Sequence, residues 1–166
     1  YPGPALDTAF AYSRILDIGG TPVTQVGHLF GITRPGSQLD YDFDPFWRLR
    51  QDGEILFALD ANGNQGTITY PQGITARFTY DFADRPTKLE LQEGSGAFAY
   101  LVGNATTSAA TYLGMGPLAS VPFANTRTES RAYDFRSLPD AVTVSGSSLS
   151  WDYATDALGD VTAITD

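Results

Sequence analysis

The chain has 166 residues, the size of one ordinary domain, so residues 1–166 are read as a single module able to bury a core without a metal or disulfide staple. Ten basic against nineteen acidic residues give a net charge of −9, the wrong sign for a nucleic-acid backbone binder or a ligand of anionic membranes. The lack of cysteine excludes disulfide frameworks, Cys-ligated zinc, iron–sulfur clusters and thiol nucleophiles, and the longest apolar run, Ala97 to Val102, is far too short to span a bilayer.

The chain opens Tyr-Pro-Gly-Pro, with neither an initiator Met nor a charged-then-apolar leader, as expected of a processed or partial polypeptide. Leu16-Asp17 leads to a turn at Gly19-Gly20, and Pro35-Gly36 marks another. Tyr41 and Phe43 then alternate with Asp40, Asp42 and Asp44, the period of two of a half-buried strand. Phe57-Ala-Leu59-Asp60 runs into Asn62-Gly63, and Phe78, Tyr80 and Phe82 alternate with Arg77, Thr79 and Asp81. Further turns are read at Pro71-Gln72-Gly73, Gly94-Ser95-Gly96, Gly114-Met115-Gly116 and Ser145-Gly146. The Ala pair in Thr106–Leu113 hints at a helical turn that Gly114 would end. These signals give an all-β chain of successive antiparallel hairpins, stacked side by side into an extended or spiralling sheet.

One phrase recurs: aromatic, any residue, aromatic or aliphatic, Asp, two residues, Gly or a substitute, then a polar residue and an alternating tail. Its copies centre on Asp17, on Tyr41-x-Phe43-Asp44, Phe57-x-Leu59-Asp60-x-x-Gly63, Phe78-x-Tyr80-Asp81, Tyr133-Asp134, and Trp151-x-Tyr153-x-x-Asp156-x-x-Gly159. The Asp residues are spaced by 27, 16, 21, 53 and 22 positions, so the 53-residue gap should hold one degenerate copy plus an insertion, with Ala97 to Asn104 as the remnant. Two aromatics two apart face one side and pack on the neighbouring hairpin, Asp accepts bonds from turn amides, and Gly supplies a positive φ. Trp47, Asp84 and Ser137 stand where Gly is expected.

The phrase resembles the RHS or YD repeat, named for the Tyr-Asp pair seen here at Tyr80-Asp81 and Tyr133-Asp134, over most of residues 10–166. The resemblance implies a segment of a large secreted or cell-surface bacterial protein, as in toxin shells, that winds a β-sheet into a shell, shaft or filament. Its partners would be adjacent repeats or other copies of itself. The processing end of such shells carries paired Asp-Pro-x-Gly phrases, whereas Asp44-Pro45-Phe46-Trp47 lacks the Gly and has no second copy.

Trp47 and Trp151, each near Asp or Asn, could stack on sugar rings, which makes a glycan- or surface-binding module the alternative. His28 is the only histidine and has no nucleophile elbow, and paired carboxylates of a glycoside hydrolase cannot be assigned from sequence spacing. Asp60-x-Asn62-Gly63-Asn64 resembles the opening of a calcium loop, but the closing Glu is missing, so a turn is expected. Asn104-Ala-Thr106 is a formal glycosylation acceptor. No catalytic residue, cofactor or metal ligand is assigned.

Overall fold

The computed structural model describes residues 8–18, 21–106, 108–114 and 116–166. The described chain is all-β, its strands being β1 (Ala9–Ile18), β2 (Thr21–Arg34), β3 (Ser37–Phe43), β4 (Leu49–Asp52), β5 (Ile55–Leu59), β6 (Gln65–Thr69), β7 (Ile74–Tyr80), β8 (Pro86–Glu93), β9 (Ala99–Val102), β10 (Thr111–Tyr112), β11 (Leu118–Pro122), β12 (Thr128–Tyr133), β13 (Pro139–Val144), β14 (Ser150–Thr155) and β15 (Val161–Thr165). They form a nine-stranded sheet in the order β1 to β9 and a six-stranded sheet in the order β10 to β15; within each, every strand pairs antiparallel with its sequence neighbour, so the hairpin architecture expected from the turn signals is present. Among the described residues no helix is long and apolar enough to cross a membrane.

The chain divides into two compact units, residues 1–75 and 76–166. In the first, β1 to β6 follow chain order. The aromatics cluster here: His28 stacks on Trp47 at 4.1 Å and 12°, and Phe43 meets His28 and Phe30 edge-on at 5.2 and 5.7 Å. Arg14 of β1 pairs with Asp42 of β3 at 2.6 Å. Asp17 lies in β1 opposite Pro22, but its side chain and the turn at Gly19-Gly20 fall outside the described residues.

In the second unit β9 and β10 act as one interrupted strand. Leu89 of β8 faces Val102, and two residues earlier Thr87 accepts the Ala110 N–H at 2.8 Å. On the other side Thr111 pairs with Ser120, while Gly103 donates to Pro122 at 2.8 Å. Residues 104–106 and 108–109 form an excursion from this strand, and among the described residues of Thr106–Leu113 the expected helical turn is not formed. Thr111 and Tyr112 are extended because their backbone groups are used by β11.

Packing is shallow throughout. Phe30, Ile68, Ala76 and Ala110 are buried, but no large side chain among the described residues falls below 2% exposure. The repeat aromatics Tyr41, Phe43, Phe57, Phe78, Tyr80, Tyr133 and Tyr153 are all half-buried on their strands. Phe82 is the exception to the alternation expected of Phe78, Tyr80 and Phe82. It is fully exposed because Asp81 already opens the turn and the strand ends at Tyr80.

Candidate functional site

The feature that repeats with chemical regularity is a turn closed on an aspartate. At Asp44, Asp60, Asp81, Asp134 and Asp156 the Asp N–H donates to the carbonyl four residues on, at 2.9–3.0 Å, and the residue three positions on donates back to the Asp carbonyl at 3.0–3.2 Å, 2.9 Å for Ser137. This is a three-residue hairpin loop whose third residue must take a positive φ, found at Trp47 (63°), Gly63 (95°), Asp84 (58°), Ser137 (65°) and Gly159 (95°). The extra residue forces a bulge, so register slips directly before the Asp at Asp42/Phe43, Ala58/Leu59, Ala132/Tyr133 and Ala154/Thr155.

The carboxylate closes the loop from inside. Asp44 Oδ1 accepts Phe46 N–H at 2.8 Å and Arg48 N–H at 3.0 Å. Asp81, Asp134 and Asp156 repeat this pair of bonds with Ala83 and Arg85, Arg136 and Leu138, and Leu158 and Asp160. The second oxygen takes a side chain where one is in reach: Arg48 Nε at 2.6 Å, Arg85 Nε at 2.8 Å, Arg136 Nε at 2.9 Å and Asn64 Nδ2 at 3.0 Å.

These bonds hold four carboxyls below the ordinary aspartate value. At Asp44 and Asp134 burial pushes upward, and the bonds from backbone amides and from Arg48 or Arg136 outweigh it. At Asp81 the Arg85 side chain is the leading cause, and at Asp60 the Asn64 side chain is. Asp60, read as a calcium-loop fragment, thus spends its oxygens on Asn64. Glu90 is buried and bidentate to Arg77 at 2.6 and 2.8 Å, which lowers its pKa.

The basic side chains also reach the next turn along the same sheet edge. In the first unit Arg48 Nη1 lies 3.5 Å from the Asp60 carbonyl. In the second, Arg85 Nη1 donates to the Leu113 carbonyl at 3.2 Å, and Arg136 donates to the carbonyls of Asp156 and Ala157 at 3.1 and 3.3 Å and to Thr155 Oγ1 at 3.0 Å. Leu113 proves to be the turn that keeps the repeat in phase: its N–H donates to Pro117 and its carbonyl accepts Gly116 N–H. It splits the 53-residue gap into steps of 32 and 21. Asn104, the last residue of the Ala97 to Asn104 stretch taken as the degenerate copy, uses the same chemistry inside the excursion, its Oδ1 accepting Thr106 and Ser108 N–H at 3.0 Å. The signal that could have put Leu113, 21 residues before Asp134, in the repeat series is Gly116, three residues after it.

The tryptophans proposed as ligand platforms part company. Trp47 has one face covered by His28. Trp151 lines a cleft of about 320 Å³ with Tyr133, Tyr153 and the ion pair Arg131–Glu129, whose Nε–Oε1 distance is 2.6 Å. Among the described residues no group of three or more His, Cys, Asp or Glu is placed to hold a metal ion.

Comparison with solved structures now bears on this hairpin array. The fold recurs in Tc toxin chains. A crystal structure of TcdB2-TccC3-Cdc42 matches with a TM-score of 0.65 at 18% identity, over 92% of this chain and 9% of that one. The Tc holotoxin pore of Photorhabdus luminescens matches with a TM-score of 0.64 at 17% identity over 98% of this chain and 9% of that one. TcdB2-TccC3 without its hypervariable C-terminal region gives 0.60 at 17%, over 92% and 7%. This chain therefore spans less than a tenth of the length of those chains. No protein-family model and no curated protein sequence matches it.

Proposed function

We propose that this chain is a non-enzymatic wall segment of a secreted or cell-surface bacterial repeat protein of RHS/YD type, contributing hairpins to a β-sheet shell, shaft or filament. The carrying observation is the row of turns, five of them closed by an aspartate carboxylate, from three of which an arginine, Arg48, Arg85 or Arg136, reaches the next turn on the same edge. Such ties join hairpins sideways, the direction in which a shallow sheet needs help. The likeness to Tc toxin chains supports the reading at the level of fold. The lowered carboxyl pKa values support a structural role too, because these groups are engaged in turns instead of converging on a pocket. The test is the intact mass of the native polypeptide before any proteolytic step. A mass many times 17.9 kDa is expected, and a mass near that value overturns the segment reading.

A second reading, glycan binding, rests on the Trp151 cleft alone. It predicts that the chain is retained on immobilised polysaccharide and that Trp151→Ala abolishes retention. Equal elution of the two proteins removes it.

A further inference from the structure

In the second unit, β12, β13 and β14 carry a slot of defined width on one face. Arg131 of β12 stands opposite Val142 of β13, and Val142 stands opposite Trp151 of β14. Cross-strand partners share a face, so Arg131 and Trp151 project on the same side two strands apart, about 9.6 Å, over a floor of Val142. Tyr133 and Tyr153, two residues further along each strand, lengthen the two walls. The enclosed space is the cleft of about 320 Å³ that Trp151 lines.

The polar groups of the two walls are engaged to different degrees. On β12 the Tyr133 hydroxyl donates to the Leu118 carbonyl at 2.8 Å, and Arg131 Nε donates to Glu129 Oε1 at 2.6 Å. Trp151 Nε1, the Tyr153 hydroxyl and Glu129 Oε2 make no hydrogen bond among the described residues. A matching ligand presents both donors and acceptors around an apolar C–H face, whereas a proline-rich peptide has no donor for the Glu129 carboxylate at its prolines. Width discriminates further. A flat ring between two walls fills about 7 Å, two carbon contacts of roughly 3.5 Å, and the remainder suits the pucker and axial hydrogens of a chair-form ring. The charged residues of β12 to β15 are Glu129, Arg131, Asp140 and Asp152. The first two pair with each other, the exposed Asp140 and Asp152 repel an anion, and Arg131 in the wall disfavours a cation.

We propose that this slot takes a neutral pyranose oligosaccharide, with the C–H face of one sugar ring on the Trp151 indole and its hydroxyls on the Tyr153 hydroxyl and Glu129 Oε2. The inference rests on the glycan reading of the Trp151 cleft and names its ligand class.

The test passes the full chain over immobilised amylose, mannan, neutral galactan and polygalacturonate, then titrates soluble oligosaccharides of each retaining polymer by calorimetry. Retention on at least one neutral polymer and elution from polygalacturonate are expected. Val142→Phe raises the half-buried floor while leaving every wall residue in place, and it should abolish retention with circular dichroism unchanged. Tyr153→Phe removes one hydroxyl and should weaken the soluble oligosaccharide about two- to tenfold, as one neutral hydrogen bond does; it decides alone if Val142→Phe fails to fold. Neutral-polymer binding that both variants leave unchanged overturns the proposal. So does tighter binding of choline or of an octaproline peptide than of any sugar. Preference for polygalacturonate overturns the neutral ligand and leaves the glycan reading standing, whereas elution from all four polymers removes both.

Discussion

The turns at Asp134 and Asp156 have one backbone and opposite means of holding it. Ser137 occupies the positive-φ position of the first, and Arg136 locks the Asp134 carboxylate at 2.9 Å. Gly159 occupies the same position of the second, with Leu158 where the first has Arg136 and Asp160 where it has Leu138. The pattern holds wherever the turn recurs on an aspartate: Trp47 goes with Arg48 and Asp84 with Arg85, while Gly63 goes with Asn64. A side chain at positive φ costs about 1–2 kcal/mol, and a charge-assisted bond contributes about 1.5–3 kcal/mol. The arginine thus offsets the missing glycine, which explains how the repeat tolerates Trp, Asp or Ser at a glycine position.

The largest expected effect comes from removing the anchor where strain depends on it. Asp81→Ala strands the Ala83 and Arg85 amides and the Arg85 guanidinium while Asp84 keeps its positive φ. Asp156→Ala strands two amides beside a relaxed glycine. The fall in Tm for Asp81→Ala should be roughly twice that for Asp156→Ala, since both variants lose two amide-to-carboxylate bonds but only Asp81→Ala also loses the two-pronged ion pair with Arg85. Equal losses by thermal unfolding would dissolve the distinction between the two kinds of turn.

A glycine turn can also be converted. Gly159→Ala places a Cβ 3.2 Å from Leu138 Cδ1 at φ +95° and should cost about 1–2 kcal/mol. Asp160→Arg stands four residues after Asp156, as Arg48 and Arg85 stand after theirs, and should return part of that loss in the double variant. A coupling of about 0.5–1 kcal/mol in a denaturant double-mutant cycle is expected. Strict additivity would show that the arginines are not compensating for the backbone.

Much of this was legible in the residues. The strands, the Asp that opens each loop and the glycines at Gly63 and Gly159 were marked by alternation and by turn chemistry, both local properties. Phe82 was misplaced on the buried face because alternation continues one residue past the point where Asp81 ends the strand. A turn was read at Gly114-Met115-Gly116, but Leu113 was not placed in the repeat series because its turn has no carboxylate, and the Arg85 bond to its carbonyl arrives from 28 residues away. For Trp47, a candidate for either sugar stacking or core packing, the partner was opaque for a similar reason: His28, which covers one face, comes from β2.

Acid should act chiefly through the locked turns. Asp44, Asp60, Asp81 and Asp134 are held below 3.8 and Glu90 below 4.5, so their contribution is complete above those ordinary values and is lost as pH falls through the lower folded ones. Unfolding midpoints should stay level from about pH 8 to 5 and drop below about pH 4.5. Replacing Arg85 and Arg136 by Gln should make that drop shallower. A profile unchanged by the double replacement would move the acid response away from these turns.

The smallest effect separates two residues in the same strained position. Ser137 is exposed at φ 65°. Ser137→Gly relieves that strain but gives freedom to the unfolded chain, leaving a gain of only a few tenths of a kcal/mol. Trp47, at φ 63°, gains the same relief from glycine but loses its stack on His28 and its tilted contacts with Phe30 and Phe43 at 6.3 Å. An aromatic pair contributes about 0.5–1.5 kcal/mol beyond its area, so Trp47→Gly should be net destabilising. Opposite signs in paired urea titrations would establish that the Trp47 loop is held by its aromatic cluster as well as by Arg48, whereas two small gains would leave Arg48 as its sole support.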